Sequence, residues 1–125
     1  MSEEQVLDEF TRLFSKHSGR YGRFAGREPM VTFSDELSLT HARNERRFAE
    51  VEPRGLHFFF AHEIRKLSAE HRLGLLAHEL GHALHGPKPH GEADADRVAR
   101  DYFGVEIKYD RRWRGRGLQV GRWVR

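Results

Sequence analysis

A chain of 125 residues, 38% hydrophobic and 33% charged, is long enough for one domain and too short for two of ordinary size. It is polar for a globular protein, yet 9 Phe, 2 Trp and 3 Tyr suffice for a small core, which argues against disorder throughout; no apolar run approaches the roughly 18–20 residues that a membrane span needs. The net charge of +3 is uneven: residues 108–125 hold seven basic side chains against one acid, Asp110, so this segment carries +6 and the preceding part −3.

In chain order, Ser2-x-x-Gln5 reads as a capping box. Val6, Phe10, Leu13 and Phe14 then recur at helical spacing, which predicts an amphipathic helix over residues 3–16. Gly19, Gly22 and Gly26 follow as a loop. Residues 30–39 alternate in part (Val31, Phe33, Leu37, Leu39) and read as extended chain, and residues 48–51 as a second short strand. Pro53-Arg54-Gly55 is a turn. Leu56-His57-Phe58-Phe59-Phe60-Ala61 is the strongest strand signal. Its phenylalanines read as core; the alternative is a cleft-edge strand that pairs with an extended peptide.

Ser68 before Ala69-Glu70 starts a helix. Leu73, Leu76, Leu80 and Leu84 give it one apolar face, and Gly86-Pro87 ends it. A further helix is expected from about Gly91 to Phe103, with Ala95, Val98, Ala99 and Phe103 as its stripe and Gly104 as its cap. Residues 105–109 read as a last strand. The order of elements predicts an α+β fold with a small, mostly antiparallel sheet. Residues 111–125 read as a basic tail. Its arginines and Trp113 and Trp123 are suited to nucleic acid or an acidic partner. The preferred alternative is a solvated strand pair whose tryptophans close the core, because no known nucleic-acid module matches.

Cysteine is absent, which removes disulfides, thiolate ligands and thiol catalysis. The acidic start Met1-Ser2-Glu3-Glu4 has neither the basic nor the apolar region of a signal peptide. The expected location is the cytoplasm.

The long helix contains His78-Glu79-Leu80-Gly81-His82. Histidines at i and i+4 share one helix face, so both imidazoles can reach one metal ion. Zinc accepts imidazole nitrogen and, in catalytic sites, keeps a position open for water. Glu79 points elsewhere but is long enough to reach that water and act as general base. A third ligand is needed, and His85, His90, Glu92, Asp94 and Asp96 are the candidates. His85 should point along the helix rather than close the tripod. His90, in the connecting loop, is a contender. Glu92 opens the next helix, and Asp96 lies one turn later on the same face, placed to hold the far N–H of a ligand histidine. His17, His41, His57, His62 and His71 read as ordinary residues.

His78-Glu79-Leu80-Gly81-His82 followed by Glu92-Ala93-Asp94-Ala95-Asp96 resembles the gluzincin metallopeptidases, over roughly residues 56–104. The Glu-x-x-Ala-Asp form and the Leu75-Leu76-Ala77 lead-in are most similar to the HtpX-like membrane proteases, whose transmembrane helices this chain lacks. The ImmA/IrrE-like peptidases and minimal single-domain gluzincins are also similar. The spacing does not fit the metzincin pattern. The resemblance implies a zincin-like fold over residues 1–110, zinc held by His78, His82 and Glu92, Glu79 as general base, and Asp96 orienting a ligand, most simply His78. It implies a zinc-dependent peptidase acting on a peptide or protein substrate. Tyr102, Tyr109 and a tail arginine are candidates for stabilising the oxyanion. The competing expectation is a non-catalytic, zinc-stabilised regulatory module that binds protein or nucleic acid through residues 111–125.

Overall fold

The computed structural model describes residues 1–18, 27–35, 49–52, 56–86, 88–110 and 118–124. Over these residues the protein is a small α+β fold of three α-helices and two small sheets. Helix α1 (Glu3–Ser18) opens with the capping box that Ser2 and Gln5 predict: Gln5 N donates to Ser2 Oγ (3.1 Å) and Ser2 N donates to Gln5 Oε1 (2.8 Å). Its apolar stripe, Val6, Phe10, Leu13 and Phe14, is buried.

Strands β1 (Met30–Ser34), β2 (Ala49–Glu52) and β3 (His57–Ala61) form a three-stranded sheet in the order β1-β3-β2. β3 runs antiparallel to β2 but parallel to β1, with Phe33 opposite Phe60. This sheet is therefore mixed rather than mostly antiparallel. Side-chain alternation reports which face a residue occupies, not the direction of the neighbouring strand. Both edges of β3 are paired, so it is the central strand and not a cleft-edge strand open to a peptide. Phe58 and Phe60 point into the core and meet Phe10 edge-on, at centroid distances of 4.7 and 5.6 Å. Each such ring contributes about 1.5–3 kcal/mol by leaving water.

A 3₁₀ turn over His62–Lys66 leads into α2 (Ala69–His85). Ser68 caps it, accepting from His71 N. The leucine spacing predicts a single apolar face, but Leu75 and Ala77 are buried as completely as Leu76 and Leu80, while Leu73 and Leu84 are only partly buried. The reason is position: α2 packs against α1, α3 and both sheets, so several of its faces are covered. Arg72, buried near the helix start, forks onto Glu9 of α1 (Nε–Oε2 3.0 Å, Nη2–Oε1 3.2 Å) and donates to the Leu67 carbonyl.

Helix α3 (Glu92–Val98) runs into a π-helical turn over Ala99–Phe103, closed by Gly104 in the left-handed region (φ 70°). Ala95, Ala99 and Phe103 face the core. Strands β4 (Val105–Asp110) and β5 (Leu118–Trp123) form an antiparallel hairpin in which Glu106 lies opposite Arg122 and pairs with it at 3.4 Å. Residues 118–123 thus form the strand pair that the preferred reading of the basic segment expects, and β5 packs on α2. The contact is backbone on backbone: a Cβ on Gly121 would stand 2.5 Å from the Cα of Gly74. Trp123 does not close the core. It is 52% exposed and borders a groove of about 330 Å³ with Leu13, Leu73 and Leu76. Trp113 and the Pro53-Arg54-Gly55 turn lie outside the described residues. Among the described residues no helix is long and apolar enough to cross a membrane.

Candidate metal centre

Four residues apart on α2, His78 and His82 turn their rings toward one point. The ring planes are nearly perpendicular (89°), the centroids 4.6 Å apart and the two Nε2 atoms 3.0 Å apart. His78 is fully buried, Glu79 is buried beside it, and His82 is partly open. Ligand atoms of His78, Glu79 and His82 all lie within 4.8 Å of one another, a cluster that can hold a metal ion.

Helix α3 brings the next group. Gly81, inside the motif, lies against the Ala95 carbonyl of α3, at a distance that leaves no room for a side chain. That close approach puts the first turn of α3 beside the two histidines. Glu92 Oε2 stands 2.5 Å from His78 Nε2 and 3.4 Å from His82 Nε2. Ligands at 2.0–2.1 Å around a tetrahedral ion are about 3.3 Å apart. The 2.5 and 3.0 Å spacings fall about 0.8 and 0.3 Å inside that value and the 3.4 Å spacing matches it, so an ion seated among them would move Glu92 and His78 apart. Two imidazole nitrogens and one carboxylate oxygen, without sulfur, form a donor set that suits zinc and other first-row divalent ions.

The far nitrogen of each histidine is also engaged. His78 Nδ1 donates to Asp96 Oδ1 (2.6 Å), and Tyr109 of β4 donates its hydroxyl to Asp96 Oδ2 (2.8 Å). His82 Nδ1 meets His90 Nε2 at 2.7 Å, while His90 Nδ1 donates to the Lys88 carbonyl, also at 2.7 Å. His90 therefore sits behind His82 and not beside Glu92. His85 stacks on the ring of His90 (4.0 Å, 27°) and does not enter the cluster. Asp94 accepts from Gly91 N (3.0 Å) and serves the start of α3.

The electrostatics follow from this packing. Burial opposes a charged His78, but the hydrogen bonds with Asp96 and Glu92 outweigh it and raise its pKa to about 10. The hydrogen bond from His78 is the main cause that holds the Glu92 carboxyl well below the usual carboxylate range. Burial, and then the Asp96 carboxylate, push the Tyr109 hydroxyl up, which keeps it a donor.

The other histidines among the described side chains are engaged elsewhere. His57 bonds Thr32 Oγ1 (2.8 Å) and stacks on Phe59. His62 bridges Glu3 and Asp35. His71 belongs to the cap of α2. His41 and the side chain of His17 lie outside the described residues. Of the oxyanion candidates, Tyr109 is committed to Asp96, and Tyr102 is 42% exposed on the π-helical turn. Sequence reasoning missed the link from Tyr109 to Asp96, for which no local signal exists across separate elements. It also missed the pairing of His90 with His82. The capacity of a histidine to be a partner of a ligand, rather than a ligand, was the available clue.

No protein-family model matches the chain, and neither curated proteins nor solved structures give a significant match.

Proposed function

We propose that this chain is a zinc-dependent peptidase of the gluzincin type and of minimal size, acting on a peptide or protein in the cytoplasm. His78, His82 and Glu92 hold the metal, and Glu79 is the general base. The observation that carries this reading is the convergence of His78 Nε2, His82 Nε2 and Glu92 Oε2 within 2.5–3.4 Å, next to the buried Glu79.

Zinc held by these residues supplies Lewis acidity, which makes water more acidic and a carbonyl carbon more electrophilic. Glu79 takes the proton of the water that attacks the peptide carbonyl. As the new C–O bond is made and the C–N bond breaks, Glu79 hands that proton to the departing amine. Asp96 keeps a proton on His78 Nδ1, so that Nε2 is the nitrogen that would give up its proton to a metal. Tyr109 occupies the second Asp96 oxygen and holds the carboxylate in that pose.

Glu79→Gln tests the reading. It keeps the shape of the side chain and removes the base. Cleavage of a mixed peptide library should fall by at least about 100-fold, in line with loss of a general base, with zinc content unchanged. Cleavage at the wild-type rate would overturn the assignment of Glu79. A wild type that binds zinc yet cleaves nothing in the library would favour the non-catalytic module.

A further inference from the structure

We propose that His90 is a positioning residue for His82, fixing the tautomer and the ring angle that the second histidine needs to present its Nε2. The inference rests on the zinc-site reading above and gives His90 a different part from that of a third ligand.

The Lys88 carbonyl oxygen can only accept, and it lies 2.7 Å from His90 Nδ1, so the proton of that imidazole sits on Nδ1. His90 Nε2 then offers a lone pair. It faces His82 Nδ1 at 2.7 Å, so His82 donates from Nδ1. With its proton on that side, His82 has a bare Nε2, which accepts from His78 Nε2 at 3.0 Å.

His82 needs this more than His78 does. His78 is fully buried and has a carboxylate behind it, whereas His82 is partly open and near the end of α2. An imidazole in that position has freedom to rotate about its Cβ–Cγ bond and to exchange its tautomer with water. His90 removes both freedoms. Its own plane is set from the other side by His85, whose ring lies flat on it at 4.0 Å and 27°. The arrangement also explains why His90 is not seated beside Glu92: its only lone pair is already directed at the far nitrogen of His82.

The test compares zinc binding of the full chain with that of His90→Phe, His90→Gln and His90→Ala, by competition with a chromophoric chelator. Phe keeps a ring to stack on His85 but accepts no hydrogen bond. Gln offers an oxygen near the position of Nε2. Loss of such an outer partner typically weakens metal binding about 10–100-fold. That loss is expected for His90→Phe, with one zinc per chain still bound at saturation and the cobalt(II) ligand-field band retained, and His90→Gln should recover most of the affinity. His90→Ala gives the same readout if the Phe variant does not fold by circular dichroism. Wild-type affinity in His90→Phe or His90→Ala would overturn the inference and leave the zinc site standing. Loss of one-to-one binding in the Gln variant as well would overturn it in favour of direct ligation. A wild type that binds no zinc would overturn the site reading, and this inference with it.

Discussion

Gly81 and Ala95 touch backbone to backbone: a Cβ on Gly81 would lie 2.2 Å from the Ala95 carbonyl oxygen and 3.0 Å from its carbon. Neither atom belongs to a flexible side chain, so nothing there can yield cheaply. Glu92 and Asp96 sit on the helix that this contact positions, and both reach the histidines of α2.

Gly81→Ala should therefore do two things at once. In an isolated helix the change favours folding by about 1 kcal/mol. Here it forces the helices apart, at an expected net cost of about 1–3 kcal/mol, and it draws Glu92 away from His78 and His82. Thermal melting and zinc titration should both report a loss. A higher melting temperature with unchanged zinc affinity would show that the approach of α3 to α2 does not set the site.

Behind His78, Asp96 and Tyr109 act in series. Asp96→Ala should weaken zinc binding about 10–100-fold, and Tyr109→Phe should weaken it less, because the hydroxyl acts only through the carboxylate. In the double variant Tyr109→Phe should add nothing to Asp96→Ala. Additive losses in the zinc-binding free energies would mean that Tyr109 acts on the site by another route.

His62 offers a test of the fold away from the metal centre. It sits between Glu3 of α1 and Asp35 after β1, and its hydrogen bond with Glu3, with help from both charges, raises its pKa above 6.5. A group whose pKa is higher folded than unfolded stabilises fully below the unfolded value and loses that contribution as pH rises through the folded one. Wild-type stability should thus decline from about pH 6.5 upward relative to His62→Gln. The effect should be small, since the site is exposed and screened. Parallel pH profiles for the two proteins would remove His62 from the account.

Local signals carried much of this fold into view. The Ser2/Gln5 box, the Val6–Phe10–Leu13–Phe14 stripe and the Ser68 cap are written within a few residues, and each is found where its spacing predicts. Long-range relations were not legible in the same way. The parallel pairing of β1 with β3, the burial of Leu75 and Ala77, and the exposure of Trp123 depend on what each element packs against. Of the site, the i, i+4 histidines and the Glu92/Asp96 pair are helix-periodic and could be read directly. Tyr109 and His90 reach their partners from a strand and from a loop, where no periodicity points.

The central claim is that His78, His82 and Glu92 together hold one metal ion, and the most direct measurement is zinc uptake by the wild type, His78→Ala, His82→Ala and Glu92→Ala. The wild type should bind one zinc per chain and release protons as it does so near pH 7, because the ion must displace the proton that His78 Nε2 shares with Glu92. Each alanine variant should lose tight binding while remaining folded. No zinc uptake by the wild type, or full uptake by Glu92→Ala, would contradict the claim.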